Sequence, residues 1–203
     1  MTMLKRISTV LNAGIALFVL IPAAGAQAAG VGDRCFGCHG TDGVSNNPNI
    51  PTIAGVGDFY IENQLTIFAE RARPCITDFL PDGEVVNKCA LIGALTESQR
   101  AALVDYFAGL DFAPFEQTVD AALAERGAAI HAENCERCHT ENGTVSMDDS
   151  AILAGQPKQY LARQLRNFRA GKRWQPESMA RETEDLEDDE IEAVVNFYAC
   201  VGQ

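Results

Sequence analysis

The sequence predicts an all-α chain built from two tandem copies of one helical module. Residues 53–73, IAGVGDFYIENQLTIFAERAR, and 153–173, LAGQPKQYLARQLRNFRAGKR, share seven residues at a constant offset of 100: Ala54/Ala154, Gly55/Gly155, Tyr60/Tyr160, Gln64/Gln164, Leu65/Leu165, Phe68/Phe168 and Arg73/Arg173. Matching at that many fixed places marks an internal duplication. Within each copy apolar residues recur at three- and four-residue spacing, as on one helix face: Tyr60, Ile61, Leu65 and Phe68, then Tyr160, Leu161, Leu165 and Phe168. Nothing reads as a sustained strand.

The N-terminus is a leader. Lys5 and Arg6 precede the apolar run ISTVLNAGIALFVLI and the small-residue stretch PAAGAQAAG, the three parts of a secretory signal over residues 1–28 with cleavage near Ala26 or Ala28. The apolar run is too short for a comfortable membrane span, so no retained anchor is expected and the mature chain is expected in the periplasm. Removing the leader takes two of 16 basic residues and none of 28 acids, leaving a net charge of −14. That balance excludes nucleic acid as a partner, because phosphates would repel it, and favours basic partner surfaces.

The first module is expected over 29–110, a linker over 111–120 marked by Pro114, and the second module over 121–203. The closing helices, LTESQRAALVDYFA at 95–108 and LEDDEIEAVVNFYA at 186–199, match at an offset of 91, so the first copy carries about nine extra residues in an insert over 74–89. Leu103, Val104 and Phe107 in one copy, and Ile191, Val194, Val195 and Tyr198 in the other, are expected to be buried. Thr96, Glu187 and Asp188 fall near the helix starts, Glu187 and Asp188 as carboxylates that complement the dipole. Each module is about 80 residues, too small for a comfortable core without a staple.

The staple is implied by CFGCH at 35–39 and CERCH at 135–139. Cys-x-x-Cys-His is the attachment signal of c-type haem. Cys35 and Cys38, and again Cys135 and Cys138, share a helix face and reach one porphyrin, while His39 and His139 lie beneath the iron. A thioredoxin-type pair would follow a strand, and none precedes either motif. Structural zinc draws four ligands together within one small module, which this spacing does not offer. Two covalent haem c groups are therefore expected.

Each iron needs a sixth ligand. His131, the third histidine, sits four residues before Cys135 on the helix of a haem already served, and reads as a surface or packing residue. Met179 is expected to cap the second iron from a loop before the last helix, whereas Met147 reads as an ordinary loop residue. The first copy has no methionine, and Met179 falls on Lys88 at the offset of 91. The first iron is capped by Lys88, by Cys89, or by nothing from the protein. Cys75 and Cys89 flank the insert and could instead close a disulfide, worth about 3 kcal/mol for a loop of that size. Cys200 is then the odd thiol. A nitrogen or thiolate donor at the first haem, with methionine at the second, makes the step from one to two downhill.

With its paired modules and the stretches GVSNNPNIPTIAG and ILAGQPKQYLARQLRNFRAGKR, the mature chain resembles the dihaem cytochrome c4 family over essentially its whole length. The resemblance implies two class I-type cytochrome c domains and single-electron transfer without catalysis. The second half, FEQTVDAALAERGAAIHAENCERCHTENG, is similar to the cytochrome subunit of flavocytochrome c sulfide dehydrogenase. That likeness implies docking on an FAD-containing sulfide dehydrogenase flavoprotein, with electrons passed on to a small cytochrome or terminal oxidase. A free shuttle of the cytochrome c4 kind is the alternative. A third reading, a thiosulfate-oxidising dihaem enzyme with a Cys-ligated haem, needs Cys89 or Cys75 as ligand. It also needs a local basic patch, such as RNFRAGKR at 166–173, to overcome the net charge.

Overall fold

The computed structural model describes residues 24–203 except 79, 81 and 82, with the side chains of 24–29 and 31 left aside. Most of the leader, residues 1–23, lies outside the described residues. The chain is mostly helical, in two halves that repeat one another. The first half contains α1 (Ala24–His39), α2 (Asp58–Ala69), α3 (Lys88–Gly93) and α4 (Glu97–Ala108), with a small hairpin of β1 (Ile76–Thr77) and β2 (Val86–Asn87) before α3. The second half contains α5 (Ala121–Ile130), a π-helical turn (His131–Cys135), a one-turn α6 (Thr140–Gly143), α7 (Lys158–Arg169), α8 (Glu177–Thr183) and α9 (Asp188–Val201). No helix among the described residues is long and apolar enough to cross a membrane.

The repeat survives at the level of single hydrogen bonds. The carbonyl of Gly43 accepts from Ile53 N at 2.8 Å and Ala54 N at 3.1 Å, and that of Gly143 accepts from Leu153 N at 2.8 Å and Ala154 N at 3.0 Å. Gly55 N donates to the Phe107 carbonyl at 2.9 Å, as Gly155 N does to that of Tyr198 at 2.9 Å. These bonds fasten the loop after each motif to the closing helix. The ends of those helices are built as their sequences require: Thr96 and Gln99 form a reciprocal capping box on α4, and Glu187 and Glu190 one on α9.

Packing follows the same plan twice. α1 lies on α4 and α5 on α9. Leu103, Val104 and Phe107 are buried with Val56 and Ile61 in one core, and Ile191, Val194, Val195 and Tyr198 with Tyr160 and Leu161 in the other. Ile152 of the second copy packs into the first core. A polar seam completes the contact between the halves. The Gln156 amide accepts from Thr52 N at 3.0 Å and donates to the Thr52 carbonyl at 2.9 Å, and Trp174 N donates to the Ala72 carbonyl at 2.7 Å.

The insert is a disulfide-closed hairpin. Ile76 pairs with Asn87 and Thr77 with Val86, and Cys75 is bonded to Cys89 with Cα atoms 5.1 Å apart. With the partners 14 positions apart in the sequence, the bond is worth about 3 kcal/mol by restricting the unfolded chain. Changing both cysteines to alanine is expected to lower first-half stability by about that amount, read as a shifted denaturant midpoint with the haem content intact. A midpoint that does not move would show that the backbone bonds of the hairpin suffice.

Candidate functional site

Both motifs open onto one continuous cavity of about 510 Å³ with mainly apolar walls, lined by Cys35, Cys38 and His39 from one half and Cys135, Cys138 and His139 from the other. Volumes of about 300–1,000 Å³ accept sizeable ligands. The cavity runs between the two cores, so whatever fills it completes both.

The donor chemistry suits haem rather than a thiolate metal site. Burial, with the neighbouring Cys38 second, pushes the Cys35 thiol up to about 11. Burial likewise leads the rise of Cys135 to about 11. Both sulfurs are thus held as neutral thiols rather than zinc-binding thiolates. Among the described residues no group of three or more His, Cys, Asp or Glu side chains converges on a metal position. The two histidines are therefore lone donors, as a haem iron requires of the protein on one face.

His39 is oriented by its second nitrogen. Nδ1 lies 2.9 Å from the Pro51 carbonyl, which can only accept. Nδ1 therefore carries the proton and Nε2 keeps its lone pair, the usual outer support of a ligating imidazole. Burial lowers the His39 pKa to about 4, which keeps the ring neutral. His139 is lowered by burial too. Twelve residues on, the Ala151 carbonyl takes the place of Pro51 but does not close the bond, leaving His139 Nδ1 buried and unpartnered.

Met179 and Lys88 line the same cavity. Met179 is carried by the short helix α8, where a loop was expected, because Pro176 starts a turn whose carbonyl accepts from Met179 N and Ala180 N at 3.0 Å. Met147 is 56 % exposed in a turn away from the cavity. Lys88 begins α3, its backbone N donating 2.8 Å to the Cys75 carbonyl and its Nζ 5.0 Å from the Phe68 ring centre. Burial, followed by the charge of Arg73, lowers its amine to about 8. Cys89 is corrected: its sulfur is bonded to Cys75, so neither cysteine is a thiolate and the thiosulfate-oxidising reading loses its ligand. His131 is buried, 1 % exposed. Cys200 is exposed on α9.

Sequence reasoning missed a cluster at the middle of the seam. Arg73 reaches both Gln64 and Gln164, and Arg173 reaches the same two amides, at 2.9 Å to Gln164 and 2.8 Å to Gln64. The two guanidiniums stack over Phe68 and Phe168 at 4.2 and 4.4 Å. Both are more than nine-tenths buried, and neither pairs with a carboxylate among the described residues. Burial and the like charge of Arg173 bring Arg73 down to about 10. Nε of each is buried without a partner. Two like charges sealed beside one cavity call for anions within it, which the propionates of bound haem would supply. The visible signal was the retention of Gln and Arg, neither a core residue type, at the repeat offset. The rest of RNFRAGKR is ordinary: Arg166 and Arg169 pair with Asp188 at 3.4 and 2.8 Å.

Known proteins share this design. Residues 23–111 match the cytochrome c family model, and 122–197 match that of cytochrome c oxidase, cbb3-type, subunit III. Cytochrome c4 of Azotobacter vinelandii is 32% identical over 76% of this chain and 77% of that protein. A thiosulfate dehydrogenase electron acceptor of Stutzerimonas stutzeri is 31% identical over 83% of this chain and 79% of its own length. The crystal structure of reduced cytochrome c4 from Pseudomonas stutzeri superposes with a TM-score of 0.71 at 27% identity, covering 86% of this chain and 96% of that one. With its duplicated helical fold and a cavity built for two covalent haem c groups, the chain belongs to the cytochrome c4 family of dihaem electron carriers.

Proposed function

We propose that this protein is a periplasmic shuttle that takes single electrons from a sulfur-oxidising dehydrogenase and passes them to a small cytochrome or terminal oxidase. Cys35, Cys38 and His39 hold the first haem, and Cys135, Cys138 and His139 the second. Met179 caps the second iron and Lys88 the first. The observation that carries this reading is the single cavity lined by both motifs, which would hold two bound haems in one apolar space, close enough for electron exchange. Bound haem supplies the one-electron chemistry. The polypeptide holds the metals apart from solvent, and Arg73 and Arg173 balance the propionate charge.

The identity of the donor is a finer choice. Likeness to the thiosulfate dehydrogenase electron acceptor of Stutzerimonas stutzeri favours a thiosulfate-oxidising enzyme. Docking on an FAD-containing sulfide dehydrogenase is supported by the second-half motif resemblance alone, so it stands second.

Two measurements test the proposal. Low-temperature EPR and near-infrared spectra of the oxidised protein should show one His/Met iron and one His/amine iron, and Met179→Ala should abolish the methionine signature alone. Two identical signals would refute the ligand assignment. In the second measurement, thiosulfate added to the purified cytochrome should leave the haems oxidised until a thiosulfate dehydrogenase is supplied. Reduction by a flavoprotein and sulfide, but not by that enzyme, would select the second donor.

A further inference from the structure

Besides the insert, the two halves differ beside the first cysteine of each motif. The first copy has Val31, Phe36 and Phe107 where the second has His131, Glu136 and Tyr198. In the first half the Phe36 ring packs against Tyr106 and Phe107 with centroids 5.8 and 6.1 Å away. In the second half the same place is filled by the His131 imidazole, 5.0 Å from Phe197 and 5.4 Å from Tyr198. An apolar cluster has become a hydrogen-bonded chain.

That chain runs from solvent to the haem attachment. Nε2 of His131 bonds to the Glu136 carboxylate, Nδ1 lies 2.9 Å from the Tyr198 hydroxyl, and the hydroxyl also bonds to the Cys135 sulfur. Glu136 is 42% exposed. His131 and the backbone N–H groups of Asn142 and Glu141 hold its carboxyl below the usual range. The helix opens here: the His131 carbonyl accepts from Glu136 N at 2.9 Å in a π-turn, whereas α1 runs unbroken into its motif. Single π-turns of this kind gather at functional positions.

The donor logic makes the chain a two-state device. A carboxylate only accepts, so Nε2 keeps its hydrogen. With the ring neutral, Nδ1 accepts from the Tyr198 O–H. With a proton added, Nδ1 donates instead, and the O–H turns to the sulfur of Cys135. A hydrogen bond donated to the Cys135 sulfur, which would tether the haem, next to a new positive charge, would favour the electron-rich reduced state of a bound haem. We propose that His131 takes up one proton from solvent when the second haem takes up one electron, and releases both together, while the first haem has no such partner. The inference rests on Cys135 and Cys138 holding that haem.

The groups facing His131 are few. Tyr198 faces it from α9 beside apolar Phe197, and Glu136 from its own segment. His139 and, through Cys135, Glu182 of α8 act at longer range. Glu133 on the same turn is exposed.

The test is a redox titration of the full dihaem protein across the range in which imidazoles exchange protons, about pH 5 to 8. One of two waves should fall as pH rises, towards a tenfold change in the reduction equilibrium per unit, about 59 mV for one electron. The other wave should not respond to changes at His131. His131→Gln, which keeps a hydrogen bond without a titrating ring, should level the sloping wave and leave the other as it is. Glu136→Gln, an exposed change that leaves the core alone, should move the sloping region to lower pH, because the carboxylate no longer favours the imidazolium. Two level waves in the haem-bearing wild type, a slope that persists in His131→Gln, or a sloping region that does not move in Glu136→Gln would overturn the proton role while leaving the shuttle intact. Wild-type protein with the mass of bare polypeptide would overturn the haem assignment together with this inference.

Discussion

Changing Cys135 and Cys138 to alanine is expected to yield a protein with one haem and a disordered second half. The reason is volumetric. Two bound haems would fill a space of about 510 Å³, and leaving even half of it empty costs on the order of 6 kcal/mol at about 24 cal/mol per Å³. A whole domain is stable by only about 5–15 kcal/mol. Tyr160, Leu161, Val194 and Tyr198 form both the wall of that space and the second core, so no separate apolar cluster takes over when the porphyrin is lost. The first half, with its own core and the Cys75–Cys89 bond, should keep its haem. Mass spectrometry should find one haem where the wild type has two, the pyridine haemochrome signal should halve, and far-UV helicity should fall. Retention of both haems would show that these cysteines are not the attachment points.

Much of this was legible beforehand because a duplication lets one half test the other. The offset of 100 carried from Gly43 and Gly143 through the loops to Arg73 and Arg173, and the buried faces of α4 and α9 are the ones their periodicity named. Thr96 was visible as a helix start because its hydroxyl has a local task, and the Cys75–Cys89 bond was visible as two thiols flanking an insert. What escaped depends on contacts across the seam. The reach of Arg73 to Gln164 links residues 91 apart, and no local pattern encodes it. The basic stretch at 166–173 read as one local basic patch, yet it divides at the end of α7. Arg166 and Arg169 turn to Asp188, while Arg173 turns inward to the seam. The placement of Met179 on α8 and the π-turn at His131–Cys135 were hidden for a similar reason. Both are set by tertiary packing, the first behind Pro176 and the second around a buried imidazole.

Gly127→Leu should break the second half without touching any haem-binding group. Gly127 lies where α5 crosses α9, and a Cβ built on it would stand 2.2 Å from the Ala193 carbonyl oxygen and 2.9 Å from Cβ of Phe197. The obstacle at 2.2 Å is backbone, so no side-chain rotation relieves it and the two helices must part. Overpacking against side chains costs about 1–3 kcal/mol; leucine against a fixed carbonyl should cost at least the upper part of that range. Alanine gains up to about 1 kcal/mol from its better helix propensity, so Gly127→Ala should be the milder of the two but still less stable than wild type. Parting α5 from α9 would also pull His131 away from Tyr198, since one lies just beyond α5 and the other on α9. Denaturant midpoints should therefore fall in the order wild type, alanine, leucine. A Gly127→Ala protein as stable as wild type would mean that α5 can shift along α9, and that the close crossing is not what holds the second half together.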